Sequence, residues 1–303
     1  MHAYYIANYR LLVDDAIGQS KEMEYLTAFS KEMPCTHSFT LRLGNVALID
    51  EKFAAATKCP VVCSADKFDI HDTQDSWTFV RQKDKQRLNL PGKRVLICNR
   101  DYSEMTLFIS RQPFYYGKRK EWMVPRIPID TAIRSTFEAA MTMRDGMTLH
   151  ASLVEKDGYG VVFLGNSGAG KSTQAQLWVE HQGANFIIGD RPGVRRIDGQ
   201  WIGYGMPWDG SECLHQQKQV PIRALISLVQ APENSIRRLT KEEAMIVLLN
   251  QVMMPMWDDA AMALLTPLMG LLADEIPFYQ LKNLPNWEAT ELTRETICKT
   301  KEQ

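Results

Sequence analysis

Up to about residue 111, apolar positions fall in short runs divided by polar breakers. The runs 4–13, 38–43, 46–49, 60–63, 77–81, 94–98 and 105–110 have the length and the β-branched or aromatic content of strands. Breakers such as Gly44-Asn45 and Pro91-Gly92 separate several of them, at the spacing of a small antiparallel sheet or sandwich. Only 22–32 has helical spacing. The pattern predicts a β-rich domain over residues 1–125, and no chemical motif lies within it.

The pattern then changes. Residues 113–128 hold three prolines and the basic cluster Lys118-Arg119-Lys120, which suits an exposed, solvated connection. Ile129, Ile133, Phe137 and Ala140 recur at helical spacing, and this helix is expected to pack on the domain that follows. Residues 147–154 and 160–164 read as strands joined by an Asp157-Gly158 turn, an antiparallel hairpin that implies a mixed sheet. A helix over 173–182 and a strand over 184–190 follow. A second hairpin, 193–197 with 200–204, turns at Asp198-Gly199 and leads to a loop carrying Trp208, Asp209 and Glu212. Strands at 224–229 and 276–281 and helices at 241–253, 258–274 and 287–298 complete an α/β domain over residues 126–303, a mixed sheet flanked by helices.

Between the 160–164 strand and the 173–182 helix the chain reads Gly165-Asn166-Ser167-Gly168-Ala169-Gly170-Lys171-Ser172-Thr173, which fits G-x-x-x-x-G-K-[ST]. Glycines let a backbone curl until successive N–H groups face phosphate oxygens, and the new helix adds its positive end. All nine residues are therefore expected to bind nucleotide, with Lys171 reaching the β- and γ-phosphates and Ser172 offering its hydroxyl to Mg²⁺. Asp190, at the end of the next strand, has the placement of a second magnesium-holding group. ATP and Mg²⁺ are the expected ligands of this P-loop domain.

Composition narrows the partners. The 303 residues carry 35 basic and 36 acidic side chains, a net charge of -1, so nothing draws the chain as a whole to nucleic acid or to an anionic membrane. Six cysteines form no zinc-like pair, which fits reduced thiols in a cytoplasmic protein. The first residues lack the charge and apolar stretch of a signal peptide, and the most lipid-like segment, 260–273, is short and broken by Pro267 and Gly270. Neither nucleic acid nor membrane is expected as a partner, and homo-oligomerisation is left open.

Leu149-His150-Ala151-Ser152, the turn at 157–160, the glycine loop and the 187–190 strand end together resemble the catalytic domain of the HPr kinase/phosphorylase family. That family shares its nucleotide-binding architecture with bacterial phosphoenolpyruvate carboxykinases. The resemblance covers about residues 145–230 and continues weakly to the C-terminus. It implies that Lys171 and Ser172 handle phosphates and Mg²⁺, that Asp190 is the metal-associated acid and that His150 is the active-site histidine. The family carries two consecutive acids at this strand end, the first implicated as the base that deprotonates the acceptor serine. Here that first position is Gly189.

The implied activity is that of a serine kinase: transfer of the γ-phosphoryl group of ATP to a serine hydroxyl in a peptide or small-protein acceptor, as in tailoring kinases of precursor peptides. Phosphoryl transfer needs alignment and charge neutralisation, for which Lys171, Mg²⁺ and Arg191 are candidates, with Arg195 and Arg196 behind them. His150 is placed to act as general base or to orient one, and Asp209 and Glu212 stand in reserve for the missing carboxylate. The competing reading is a nucleotide-binding sensor of the same fold without catalysis.

Overall fold

The computed structural model describes residues 1–18, 21–65, 68–81, 93–109, 114–116, 119–121, 126–208 and 215–299. Asp209, Glu212 and Lys118 lie outside these. The chain divides into two compact units, Met1–Ala140 with Pro255–Asp259, and Met141–Met254 with Ala260–Gln303. It is a mixed α/β protein, and both units contain a mixed sheet.

The first unit holds an eight-stranded sheet. Its strands are β1 (His2–Ile6), β2 (Tyr9–Val13), β3 (His37–Leu43), β4 (Val61–Ala65), β5 (Phe68–Asp72), β6 (Ser76–Arg81), β7 (Arg94–Asn99) and β8 (Glu104–Ile109), in the spatial order β1-β2-β3-β8-β7-β6-β5-β4. The β2–β3 and β3–β8 pairs are parallel and the others antiparallel, so the expected purely antiparallel sheet is corrected. The 46–49 run, expected as a strand, forms a short 3₁₀ turn at Val46–Leu48 that feeds a helix over Ile49–Ala56. Asn45 explains the change: its Oδ1 accepts from the Ala47 N–H at 3.0 Å, and Asp50 and Glu51 follow in the first helical turn. A local cap outweighs the strand preference of four apolar residues.

The long helix Arg126–Thr142 starts earlier than its apolar spacing predicts. The boundary between the two units falls within it, after Ala140. Phe137 lies edge-on to Tyr9 and to Phe39, with centroids 5.7 and 5.5 Å away, within the first unit. Helical spacing shows that an apolar face exists, not which core receives it. Deeper in this unit Tyr102 donates to Asp258 Oδ2 at 2.7 Å and accepts from Trp257 Nε1 at 3.0 Å.

The second unit is built on a nine-stranded sheet. β9 (Phe114–Tyr116) and β10 (Arg119–Glu121) pair antiparallel by themselves in the first unit, and the strands of the second are β11 (Gly146–Thr148), β12 (Ala151–Lys156), β13 (Tyr159–Leu164), β14 (Asn185–Ile188), β15 (Gly193–Ile197), β16 (Gln200–Tyr204), β17 (Gln219–Gln230), β18 (Ser235–Arg238) and β19 (Phe278–Asn283). The main path runs β11-β15-β16-β17-β13-β12-β14, while β19 pairs with the later part of β17 and carries β18. Two pairings fix the site. β12 is antiparallel to both β13 and β14, and β13 is parallel to β17, which is parallel to β19. The carboxyl ends of β13, β14, β17 and β19 therefore share one edge of the sheet with the start of β12.

The helix Lys171–Gln182 covers one face of this sheet together with the helix Trp287–Lys299. Trp178 is fully buried against Phe163, their centroids 5.9 Å apart. Truncating it to alanine would cost about 3–5 kcal/mol. The helix Lys241–Gln251 opens on a capping box, in which Thr240 and Glu243 each bond the other's backbone N–H, and it ends beside His150.

Candidate active site

The glycine loop leaves β13 from a wholly buried run, Val161 to Leu164. At Gly165 φ is +152°, and an added Cβ would fall 2.9 Å from the Ala169 Cβ and 3.3 Å from the Leu228 oxygen, so the loop closes tightly here. Gly170 caps the helix with φ +97° and ψ 22°, a left-handed conformation that side chains resist. Between them the Ala169 N–H bonds the Asn166 oxygen at 3.0 Å, and Asn166, Ser167 and Gly168 are exposed. A Cβ at Gly168 or Gly170 would meet no atom within 4 Å, so the front of the loop is open.

Lys171, the first residue of the helix, folds back over this loop. Its ammonium donates to the Gly165 oxygen at 2.8 Å and to the Asn166 oxygen at 3.4 Å, and the residue is only 9% exposed. Burial pulls its pKa down, and the negative charge of Asp190 opposes that pull. A lysine paired mainly with carbonyl oxygens is a cation held without a full countercharge. Ser172 is half-buried one residue on, and Thr173 is exposed.

Asp190 lies two residues beyond β14. Ser152 of β12 donates to the Gly189 oxygen at 2.8 Å and pins this end of the strand. Asp190 Oδ1 is 3.8 Å from His150 Nε2, and its Oδ2 is 3.7 Å from Arg191 Nε. Neither separation is a hydrogen bond. Oδ1 is buried and has no hydrogen-bond partner, an expensive state for a carboxylate oxygen. Arg191 itself has φ +57° and directs Nη1 to Met253 Sδ at 2.7 Å.

His150 was expected within a strand spanning 147–154; it sits instead in a break between β11 and β12. The break exists because Leu149 and His150 bond elsewhere: their N–H groups go to the Pro192 oxygen at 3.1 Å and the Gln251 oxygen at 2.7 Å. The ring is half-buried. Burial, followed by the nearby Lys171 charge, lowers its pKa below the usual imidazole value, against the raising effect of Asp190. Its neutral form is favoured at neutral pH, as a proton acceptor requires.

Of the reserve arginines, Arg196 is engaged elsewhere, in a two-bond pair with Glu275 at 2.8 and 2.9 Å. Arg195 is buried and donates to the Arg144 oxygen at 3.4 Å. Two glutamines without any motif reach the loop from afar. Gln230, the last residue of β17, donates to the Gly168 oxygen at 2.9 Å, and Gln251 donates to Asn166 Oδ1 at 3.5 Å. Only the long-range pairing of β13 with β17 and the end of a distant helix bring them here.

Fold and site thus define a mixed-sheet α/β unit in which a glycine loop, a lysine, a carboxylate and a histidine meet at one sheet edge. Among solved structures, the chain is similar to the HPr(Ser) kinase/phosphatase from Coxiella burnetii, at 17% sequence identity with a TM-score of 0.31, over 51% of this chain and 98% of that one. No protein-family model and no curated protein matches the sequence. Among the described residues, no helix is long and apolar enough to cross a membrane, and no three His, Cys, Asp or Glu side chains gather as a metal cluster.

Proposed function

We propose that this protein is an ATP- and Mg²⁺-dependent phosphotransferase that moves the γ-phosphoryl group to a serine hydroxyl of a peptide or small protein. The observation that carries the reading is the meeting of the open glycine loop with Lys171, Asp190 and His150 at one sheet edge. Loop N–H groups and the helix start would take phosphate oxygens. The Lys171 ammonium would exchange two carbonyl partners for phosphate, a stronger, charge-assisted contact.

The residues present fit a magnesium ion. Asp190 supplies a buried carboxylate oxygen with no other partner, and Ser172 supplies a hydroxyl. One carboxylate with a hydroxyl and phosphate oxygens is a set that Mg²⁺ accepts, and the ion would neutralise charge on the phosphates. His150 would take the serine proton as the serine Oγ bonds to phosphorus and the bond to the departing ADP oxygen breaks. The imidazolium so formed would face the Asp190 carboxylate. Arg191, beside that carboxylate, would add positive charge at the phosphates.

A second reading draws on Gly189, which puts no carboxylate where a base is expected. On it, the same loop binds ATP and the protein acts as a sensor. Incubation with ATP labelled in its γ-phosphate, Mg²⁺ and serine-bearing peptides separates the two. Label on a peptide serine that disappears with Lys171→Ala is the expected result, whereas ATP binding with no transfer to any acceptor or to water selects the sensor.

A further inference from the structure

β19 ends beside the neighbours of the glycine loop. Gln230, whose side chain bonds the Gly168 oxygen, is paired in register with Asn283, the last residue of β19. The next residue, Leu284, has its backbone oxygen 3.4 Å from Gln174 Nε2, in the first turn of the helix that Lys171 begins. Along this sheet edge the loop, Gln230, Asn283 and the segment leading to Trp287 are therefore consecutive. Carboxyl ends of parallel strands are where sheets of this kind receive ligands.

Two features of this corner lack an explanation in folding. Trp287 opens its helix with 52% of its surface exposed, a large aromatic ring left in water. Asn283 is 95% buried and Gln174 completely so, yet Asn283 Oδ1 and Gln174 Oε1 have no hydrogen-bond partner. A flat aromatic face offers a purine stacking, and the Asn283 oxygen, closed to solvent as it stands, would meet the exocyclic N–H once its side chain turns outward.

We infer that the corner formed by Asn283, Leu284 and Trp287 binds the adenine ring of the nucleotide whose phosphates occupy the glycine loop. The inference rests on the phosphate-binding reading of that loop. It adds a base site that the loop motif does not specify.

The test compares the Mg²⁺ complexes of ATP and inorganic tripolyphosphate by calorimetry, in the parent and in Trp287→Ala, Trp287→Leu and Trp287→Phe. Stacking on one aromatic side chain corresponds to about five- to 150-fold in affinity. The parent should prefer ATP by a factor in that range, Trp287→Ala and Trp287→Leu should lose it, and Trp287→Phe should keep part. Tripolyphosphate should bind all four alike, which also reports that each variant is folded. If Trp287→Ala and Trp287→Leu keep the parent's preference, or if the parent shows none, the base site is overturned and the loop reading stands. A parent that binds neither compound overturns both together.

Discussion

His150 Nε2 and Asp190 Oδ1 face each other across 3.8 Å without a hydrogen bond, and that oxygen is buried with no other partner. A pair so close and yet unbonded is arranged for a third group. In the proposed transfer that group would be the serine proton on the His150 side and the metal ion on the Asp190 side.

Asp190→Asn keeps the shape of the side chain and removes a charge whose Oδ1 has no hydrogen-bond partner and whose Oδ2 is 3.7 Å from Arg191 Nε. Without ligand, its thermal midpoint should stay close to the parent's, because the cost of the partnerless Oδ1 offsets a partly exposed, non-hydrogen-bonded ion pair with Arg191. The additional midpoint shift caused by ATP with Mg²⁺ should shrink. An unliganded variant that is already unfolded at room temperature would assign Asp190 to the scaffold instead.

His150→Ala should slow turnover by roughly 10² to 10⁴ and leave ATP affinity nearly unchanged. Because burial and Lys171 lower the imidazole pKa, the acid limb of the parent's rate profile should lie below the ordinary value near 6.5, with a plateau at neutral pH. The group is active when deprotonated, so the rate falls as pH falls. A His150→Ala enzyme with the parent's turnover would exclude the role.

Lys171→Ala removes the ammonium held on the Gly165 and Asn166 oxygens. Nucleotide should bind much more weakly, or transfer should slow by roughly 10² or more. Equal binding and turnover in variant and parent, measured by calorimetry and label transfer, would contradict the assignment.

Away from the site, Glu155 tests the electrostatics of the β12–β13 hairpin. Its carboxylate accepts from Lys218 Nζ at 2.8 Å, from Asn185 at 2.7 Å and from the Gly158 N–H at 2.8 Å, and these bonds hold its pKa down at about 2. A depressed pKa stabilises the fold above the ordinary carboxylate range and loses that effect as pH falls towards 2. Glu155→Gln should therefore cost roughly 1–2 kcal/mol at pH 7, and the difference from the parent should close in acid. A difference of the same size at pH 7 and pH 3 in urea titrations would show that shape, not charge, matters there.

The glycine loop, its feeding strand and its helix are legible in the sequence because each is a local event: a buried β-branched run, glycines, then a helix. The Asp157-Gly158 and Asp198-Gly199 turns are legible for the same reason, and both hairpins stand where the turns place them. Less visible is β17, twelve residues long, because Pro221 near its start reads as a breaker, whereas it pairs with Ile202 as part of the strand. The break at His150 is invisible, since what takes that residue out of a strand is a backbone oxygen a hundred residues later in the chain. Gln230, Gln251 and Asn283 carry no motif at all. Strand pairing alone delivers them, and a single sequence does not state its pairings.

The β12–β13 hairpin has both of its open ends in the chemistry, His150 before one strand and Gly165 after the other, while its Asp157-Gly158 turn points away. Six residues of strand put that turn about 20 Å from the working edge. At Gly158 an added side chain would touch nothing within 4 Å. The turn is thus a place to open the polypeptide: new termini or an inserted reporter domain there would leave loop, lysine and carboxylate where they are, with a rigid two-stranded lever joining the reporter to the glycine loop.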